Sequence, residues 1–281
     1  MLNQSLFGAS PEKFKLSSET QQIIETAGLS DLSFFCTADV NAELHYQEII
    51  HNSRKRVFAG KIESPLSIPE QFDVYSYLYP EPIILFRNLE QTDSTGLLKQ
   101  TRSTLFNSPS EALSGSSASY SRSGGSVGYH ADNYFVIIIQ LKGRRKWNIW
   151  NETTLTLEQR AFLIREDRNE IAIDPILKKS LPHYSFDLSE GEAVVIPALC
   201  PHEGITPDDS ESLSLSFYWE TITGYSLLRN LLLEESESIR KSLPDSFYTP
   251  LDYFPHHSHF ADWKRDQTEQ YVNLLNQFLK K

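Results

Sequence analysis

The sequence contains little cysteine and no long apolar run. Only Cys36 and Cys200 are present among 281 residues, too few for a disulfide framework, so a reducing cytoplasm is the expected location. No apolar run approaches the roughly 18–20 residues that cross a bilayer. Residues 1–5 also lack the basic and apolar regions of a signal peptide. These absences predict a cytoplasmic protein with no membrane segment.

Positive charge is also scarce. The chain has 26 Lys and Arg against 37 Asp and Glu, a formal net charge of −11. Phosphate contacts would be opposed by this field, so direct nucleic-acid binding is not expected. The same field would favour neutral or basic substrates, although a need for solubility explains the charge equally well.

The composition and residue patterns of the sequence predict a packed protein in three parts. The 40% hydrophobic content excludes wholesale disorder. Residues 1–75 indicate a mixed α/β leader, in which a capping box at Ser18 opens a short helix that Gly28 ends. Residues 76–222 indicate a β domain, and residues 223–281 a helical tail.

The β domain is predicted from short strands separated by turns. Alternation of Leu213, Leu215 and Phe217 with serines indicates a strand with two unlike faces. Residues 108–117, rich in Ser and Gly, fit either a flexible linker or a loop that leads into a short polar strand at 119–121. The other expected elements are strands at 82–86, 134–142, 146–150, 193–196 and 212–219, and helices at 95–106 and 156–166.

The tail carries two apolar helical faces, at 227–232 and 260–278. These faces predict either a homodimer interface or packing on the chain's own β domain. Between them, His256, His257 and His259 could bind a metal, but their proline-flanked position favours a solvated connector.

Three residues carry the chemistry: His130, Asp132 and His202. They stand in Gly-Tyr-His-Ala-Asp and Pro-His-Glu-Gly, with 69 residues between the aspartate and the second histidine. Residues i and i+2 of a strand project to the same side, so His130 and Asp132 can act together, and His202 must arrive from another strand. Two imidazoles and one carboxylate form the facial triad of non-haem Fe(II) oxygenases, which leaves three metal positions open. The alternative is a loop histidine and a hydrogen-bonded core histidine.

These motifs resemble the Jumonji-C oxygenases. Residues 119–147 and 190–217 are most similar to the bacterial ribosomal-protein hydroxylases of the cupin-4 type. The resemblance rests on Gly-x-His-x-Asp, a basic residue fifteen positions after His130, and Pro-His-Glu-Gly. It implies that His130, Asp132 and His202 are the catalytic metal ligands. The fold that it implies is mainly β, a double-stranded β-helix (jelly roll or cupin) between the leader and the helical tail.

The resemblance also assigns cosubstrate residues. Arg145 occupies the position of the Lys or Arg that binds the distal carboxylate of 2-oxoglutarate. Ser121, nine residues before His130, matches a serine that assists there, and Ser119 and Ser214 lie near the same pocket. Strand alternation supports Arg145, because it turns Arg145 to the face opposite Arg144 and Lys146.

The implied activity is hydroxylation of an unactivated C–H bond, with Fe(II), 2-oxoglutarate and O2. A side chain of a ribosomal or other protein is the expected substrate. The 59 residues after Ile222 (281 − 222) are too few for both the dimerisation region and the winged-helix domain of ribosomal-protein hydroxylases. This difference, with Tyr129 where those relatives carry proline, argues against a ribosomal substrate but not against the chemistry. A short chain would suit the alternative of a free amino acid, peptide or natural-product precursor. A metal-binding cupin without oxidative activity is a further alternative, against which Arg145 argues.

Overall fold

The structure is a computed structural model of the chain. It describes all residues except 1–9, 38–39, 51–52, 93–95, 107–112, 166–169, 173–180, 221, 234, 250, 252–259 and 281. The histidines at 256, 257 and 259 lie outside the described residues, so the hypothesis about them stays a prediction.

The N-terminal part alternates short helices with a long β-hairpin. Its first helix begins after Ser17, whose hydroxyl caps the backbone N–H of Thr20, and ends at Thr26 with Ala27 as its C-cap. Gly28 follows with a φ of +68° and turns the chain away from the helix. The predicted stop is confirmed and the predicted cap is one residue late. The elements are β1 (Glu12–Lys15), α1 (Ser18–Thr26), α2 (Leu32–Phe35), β2 (Asn41–Ile50), β3 (Ser53–Ile62) and α3 (Ile68–Leu78).

The middle of the chain is mainly β, as predicted. Residues 113–117 belong to a ten-residue strand, so the flexible-linker interpretation is wrong for them, and residues 108–112 lie outside the described part. The elements are β4 (Ile83–Arg87), α4 (Leu89–Thr92), α5 (Leu97–Phe106), β5 (Leu113–Arg122), β6 (His130–Asp132), β7 (Tyr134–Ile149), α6 (Leu157–Arg165), β8 (Glu170–Ala172), β9 (Tyr184–Ser189), β10 (Glu192–Ile196), β11 (His202–Ile205) and β12 (Glu211–Glu220).

The strands form two antiparallel sheets that share β7. One sheet has the order β3-β2-β4-β5-β12-β7-β10-β1. In the other, β6 pairs with β8 and β11, and β7 pairs with β11 and β9. A strand common to two facing sheets closes them into a barrel, which is the predicted double-stranded β-helix.

The passage of β7 between the sheets explains one error of the sequence analysis. Two strands are predicted at 134–142 and 146–150, but β7 is continuous over sixteen residues. Gly143 lies at its bend with a φ of +68°, beside a register shift against β12. A bulge at a glycine bends a strand without ending it.

Apolar side chains form three clusters. The first packs the outer face of the large sheet, including Leu213, Leu215 and Phe217, against the N-terminal helices. The second fills the space between the sheets around Ile138, Trp147 and Val194. Because strands from residues 12–62 pair directly with barrel strands, the leader is part of the same packed structure, and the predicted boundary at residue 75 stays a prediction.

The third cluster holds the helical tail on the barrel. Leu228, Leu232, Tyr271 and Leu275 are buried within it, which is the second of the two alternatives for the apolar faces. A homodimer interface therefore stays a prediction, with less apolar surface available to it. The tail elements are α7 (Gly224–Leu227), α8 (Arg229–Leu233), α9 (Glu237–Ser242) and α10 (Phe260–Leu279). None of the helices in the described ranges is long and apolar enough to span a membrane.

Candidate functional site

The three predicted metal ligands meet at one end of the barrel. His130 and Asp132 are the first and last residues of β6, and His202 opens β11, paired directly with His130. Their candidate ligand atoms all lie within 4.8 Å of one another. The His130 Nε2 atom is 3.7 Å from Asp132 Oδ1, and His202 Nε2 is 3.4 Å from Oδ2. The structure therefore brings together the two motifs that the sequence separates.

Both histidine rings are held in the orientation that a metal site needs. The Nδ1 atom of His130 lies 2.9 Å from the carbonyl oxygen of Gly128, and that of His202 lies 2.9 Å from the carbonyl oxygen of Cys200. A carbonyl only accepts, so each Nδ1 donates and each Nε2 carries the lone pair. This contact fixes the tautomer and aims Nε2 at a metal.

The electrostatics also fit a cation. Burial raises the pKa of Asp132 to about 7, against the lowering effect of Arg56 and of a hydrogen bond from Tyr134. Burial also lowers the pKa of His202 to about 4 and, with His202 as a neighbour, holds the pKa of His130 well below its usual range. Among the described residues, Asp132 Oδ1 has no hydrogen-bond donor. Two neutral imidazoles and a buried carboxylate oxygen without a donor are the groups that a divalent metal ion would satisfy.

Arg145 lies inside the barrel, as the alternation predicts. It is 1% exposed, while Arg144 and Lys146 face solvent. Its Nη1 and Nη2 atoms donate to Ser119 Oγ and Ser121 Oγ, each at 2.7 Å. Burial alone lowers the pKa of Arg145 to about 9, so no carboxylate in the described part of the chain offsets its charge. A buried guanidinium held by neutral hydroxyls is suited to receive an anion.

The other predicted serines differ in their contacts. Ser121 also lies 2.6 Å from Thr206 Oγ1, which supports its hydroxyl beside Arg145. Ser214 stands opposite Ser119 in the β5–β12 pair, but its hydroxyl donates to Gln140 Oε1 at 2.8 Å. The geometry thus links Ser119 and Ser121 to Arg145 and places Ser214 one strand away, so its role stays a prediction.

Several residues of the cavity around the triad were not predicted from the sequence. Arg56 and Arg87 enter from the N-terminal hairpin and from β4, and Tyr134, Trp147 and Tyr218 add aromatic walls. No local pattern could have assigned the arginines, because one lies in a basic run and the other ends an apolar strand. Their position depends on the pairing of β2 with β4, which brings the leader to the metal site.

The comparisons with known proteins agree with this geometry. The protein-family model of the JmjC domain matches residues 98–225, which include every predicted site residue. The Jumonji-C resemblance is confirmed. The matched JmjC segment runs from α5 to α7 and contains the strands that carry the triad and Arg145.

Three curated relatives have related names. A protein named "Probable ribosomal oxygenase" from Haemophilus influenzae is 28% identical over 37% of this chain and 24% of its own length. The ribosomal protein uL16 3-hydroxylase of Escherichia coli is 28% identical over 57% of this chain and 39% of its own. The ribosomal oxygenase 2 of Rattus norvegicus is 26% identical over 54% and 33%. The chain therefore spans less than half the length of each of these relatives.

Solved structures show the same fold. Two structures of the E. coli protein YcfD, one of them titled as a ribosomal oxygenase, align over 99% of this chain and 68% of theirs. Their TM-scores are 0.51 and 0.50, at 20% and 21% identity. The likeness extends beyond the JmjC domain to the leader and the tail.

Proposed function

We propose that the protein is an Fe(II)- and 2-oxoglutarate-dependent oxygenase that hydroxylates a C–H bond of its substrate. The observation that carries this proposal is a pair of sites in one barrel. A buried His-Asp-His triad opens onto the same cavity as Ser119, one of the two hydroxyls that hold the buried Arg145. One site suits a divalent metal, and the other suits the distal carboxylate of a dicarboxylic cosubstrate.

His130, Asp132 and His202 would hold the iron. When bound, iron and 2-oxoglutarate supply the oxidising power: 2-oxoglutarate, O2 and a C–H bond become succinate, CO2 and a C–OH group. The protein's residues orient the metal ligands and shield the site from water. The carbonyl groups of Gly128 and Cys200 keep each Nε2 aimed inward, and the apolar walls restrict water.

Arg145 would hold the far end of the cosubstrate. Its two Nη atoms and the hydroxyls of Ser119 and Ser121 form one donor group, and a carboxylate placed there would be bound by a charge-assisted pair of hydrogen bonds. A cupin that only binds metal has no use for this buried cation. Arg145 therefore supports an oxygenase over a non-oxidative metal-binding module.

A protein side chain is the substrate that we favour, because the curated relatives are named for ribosomal proteins. A free amino acid or natural-product precursor is the alternative. We also propose that the protein is cytoplasmic and that it can form a homodimer through the helical tail, residues 223–281.

The test has two stages. Full-length protein loaded anaerobically with Fe(II) and 2-oxoglutarate should develop the weak visible absorption of a bidentate chelate, and O2 should then release succinate. Proteins and metabolites from cells with and without the gene, compared by mass spectrometry, should differ by the gain of one oxygen atom in the substrate.

His130→Ala is the control for both stages, because it removes one metal ligand from an otherwise intact barrel. If this variant keeps the absorption band and the succinate yield of the wild-type protein, the triad does not hold the iron. If the wild-type protein shows neither, the proposed chemistry is wrong.

A further inference from the structure

The wall of the cavity beside the triad contains a buried hydrogen-bond donor that has no acceptor. Trp147 lines this cavity together with His130, Asp132 and His202, and it is only 2% exposed. Among the residues that the structure describes, none accepts a hydrogen bond from its indole Nε1. A buried donor without an acceptor destabilises a folded protein, which indicates that a bound molecule supplies the acceptor.

The indole ring is held in one place by its neighbours. Trp147 pairs with Gly204 across β7 and β11, and a Cβ atom on Gly204 would lie 2.7 Å from Cη2 of the ring. The missing side chain at Gly204 thus makes room for the benzene half of the indole. The centroid of the Trp147 ring lies 5.8 Å from that of His202. The N–H group is therefore fixed close to a predicted metal ligand.

Trp147 continues a line of inward-facing donors along β7. Arg145 precedes it by two residues, is also buried, and has an Nε atom without an acceptor in the described part of the chain. Two residues later, Ile149 pairs with His202. Alternate residues of a strand lie about 6.6 Å apart on one face. Trp147 therefore stands between the Arg145 site and the metal ligands.

This spacing matches the two ends of 2-oxoglutarate. Its carboxylate carbons are joined by four C–C bonds of about 1.5 Å and lie roughly 5 Å apart when extended, and the carboxylate oxygens extend beyond them. With the distal carboxylate at Arg145, the proximal carboxylate, next to the 2-oxo group, lies level with Trp147. A bidentate chelate uses the 2-oxo oxygen and one proximal carboxylate oxygen. The second oxygen of that carboxylate is left as a strong acceptor.

We propose that the indole N–H of Trp147 donates a hydrogen bond to the proximal carboxylate of 2-oxoglutarate, at the oxygen that the metal does not take. This inference rests on the proposed function. Arg145 and Trp147 thus bind the two ends of the cosubstrate from one face of one strand. Three metal ligands leave several orientations open to a chelate, and the N–H selects one of them.

The alternative is that the indole only fills space beside Gly204 and His202. In that case the N–H plays no part in binding, and any flat aromatic ring would serve. The two roles differ in what happens to the N–H when 2-oxoglutarate binds, so the experiment observes that group directly.

The first measurement is nuclear magnetic resonance of the full chain with ¹⁵N-labelled tryptophan. The protein is loaded with Zn(II), which accepts imidazole and carboxylate ligands and is not redox-active. The chain has four tryptophans, and the indole resonance of Trp147 is assigned through its own connectivity. Addition of 2-oxoglutarate should move the Trp147 indole proton downfield, as a new hydrogen bond to a carboxylate requires, and should move the other indole protons little.

The second measurement is the affinity of the Zn(II)-loaded protein for 2-oxoglutarate by calorimetry. Trp147→Phe keeps an aromatic ring and removes the N–H, so it should weaken binding by about tenfold or more, as expected for one hydrogen bond to a charged group. Its affinity for Zn(II) should not change. Trp219→Phe makes the same replacement at a buried tryptophan in the cluster on the outer face of the large sheet and should alter neither affinity.

The inference is overturned if saturation with 2-oxoglutarate leaves the Trp147 indole proton unmoved, or if Trp147→Phe binds 2-oxoglutarate as tightly as wild type does. Weaker binding by Trp147→Phe together with an unmoved wild-type resonance would assign the indole to packing alone. If Trp147→Phe does not fold, the wild-type resonance decides. Failure of wild type to bind Zn(II) or 2-oxoglutarate would reject the proposed function and this inference together, whereas binding of both without the downfield shift rejects the inference alone.

Discussion

Replacement of Arg145 by alanine gives the sharpest test of the cosubstrate site. The side chain is 1% exposed and donates to two serine hydroxyls, so a carboxylate bound there would be shielded from water. Loss of such a charge-assisted contact costs about 2–5 kcal/mol, which is roughly 30-fold to several thousand-fold in affinity. Arg145→Ala should therefore raise the 2-oxoglutarate requirement by that factor and leave metal affinity nearly unchanged.

Two assays should agree on this result. A titration of succinate formation against 2-oxoglutarate reports the requirement in turnover. Thermal unfolding of the Mn(II)-loaded protein reports binding without turnover, because ligand at 100 times its dissociation constant stabilises the folded state by about 2.7 kcal/mol. Wild type should show this stabilisation, and Arg145→Ala should show at most about 0.9 kcal/mol at the same concentration, since a 30-fold loss of affinity leaves the ligand at about 3 times its dissociation constant.

The neighbouring residues supply the controls. Arg144→Ala should change neither assay, because that side chain faces solvent. Arg145→Lys should be intermediate, since a point charge cannot donate to both serines in the planar arrangement of a guanidinium. A damaging Arg144→Ala together with a harmless Arg145→Ala would refute the assignment of the inward face of β7.

Four further outcomes are expected. His130→Ala should abolish metal-dependent turnover and retain the wild-type far-ultraviolet circular dichroism spectrum. Metal affinity should fall about tenfold for each pH unit below about 7, because the metal must then displace the proton of Asp132, whose pKa is about 7. A competition titration with a chelator of known protonation behaviour measures this fall. A metal affinity that does not change between pH 7 and pH 5.5 would contradict the prediction. Gly204→Ala should lower the free energy of unfolding by about 1–3 kcal/mol in a urea titration, because the new Cβ would lie 2.7 Å from the Trp147 ring. Gly60→Ala is the control: a Cβ there would have nothing within 4 Å, so the free energy of unfolding should fall less. Light scattering at micromolar concentration tests the homodimer, and a monomer would exclude it.

The sequence predicted the parts of the site that are local in the chain. His130 and Asp132 are two residues apart, and the alternation around Arg145 follows from strand geometry once a strand is recognised. Similarly, the helix stop at Gly28 needs only a positive φ. In each of these cases the physical cause lies within a few residues of its effect, which is why a pattern could indicate it.

The features that the sequence did not predict depend on long-range pairing. The β2–β3 hairpin contains charged and polar residues that give no clear strand pattern, and its position is set by pairing with β4 and by contact with residues 126–128. Residues 113–117 are mostly small and polar like a linker, but they pair with β12, and Ser117 pairs with β4 as well. This strand pairing outweighs their weak intrinsic preference. Register between distant strands is not encoded in local composition.

The difference between local and long-range features also bears on which parts of the chain build the functional site. The triad and Arg145 belong to the segment that matches the JmjC domain, and under the proposed function they set the chemistry. Arg56 and Arg87 belong to strands that precede this match, yet they stand beside the same metal ligands. The cavity around the predicted metal ligands is therefore built by the leader as well as by the JmjC segment, so the boundary of the match is not the boundary of the site.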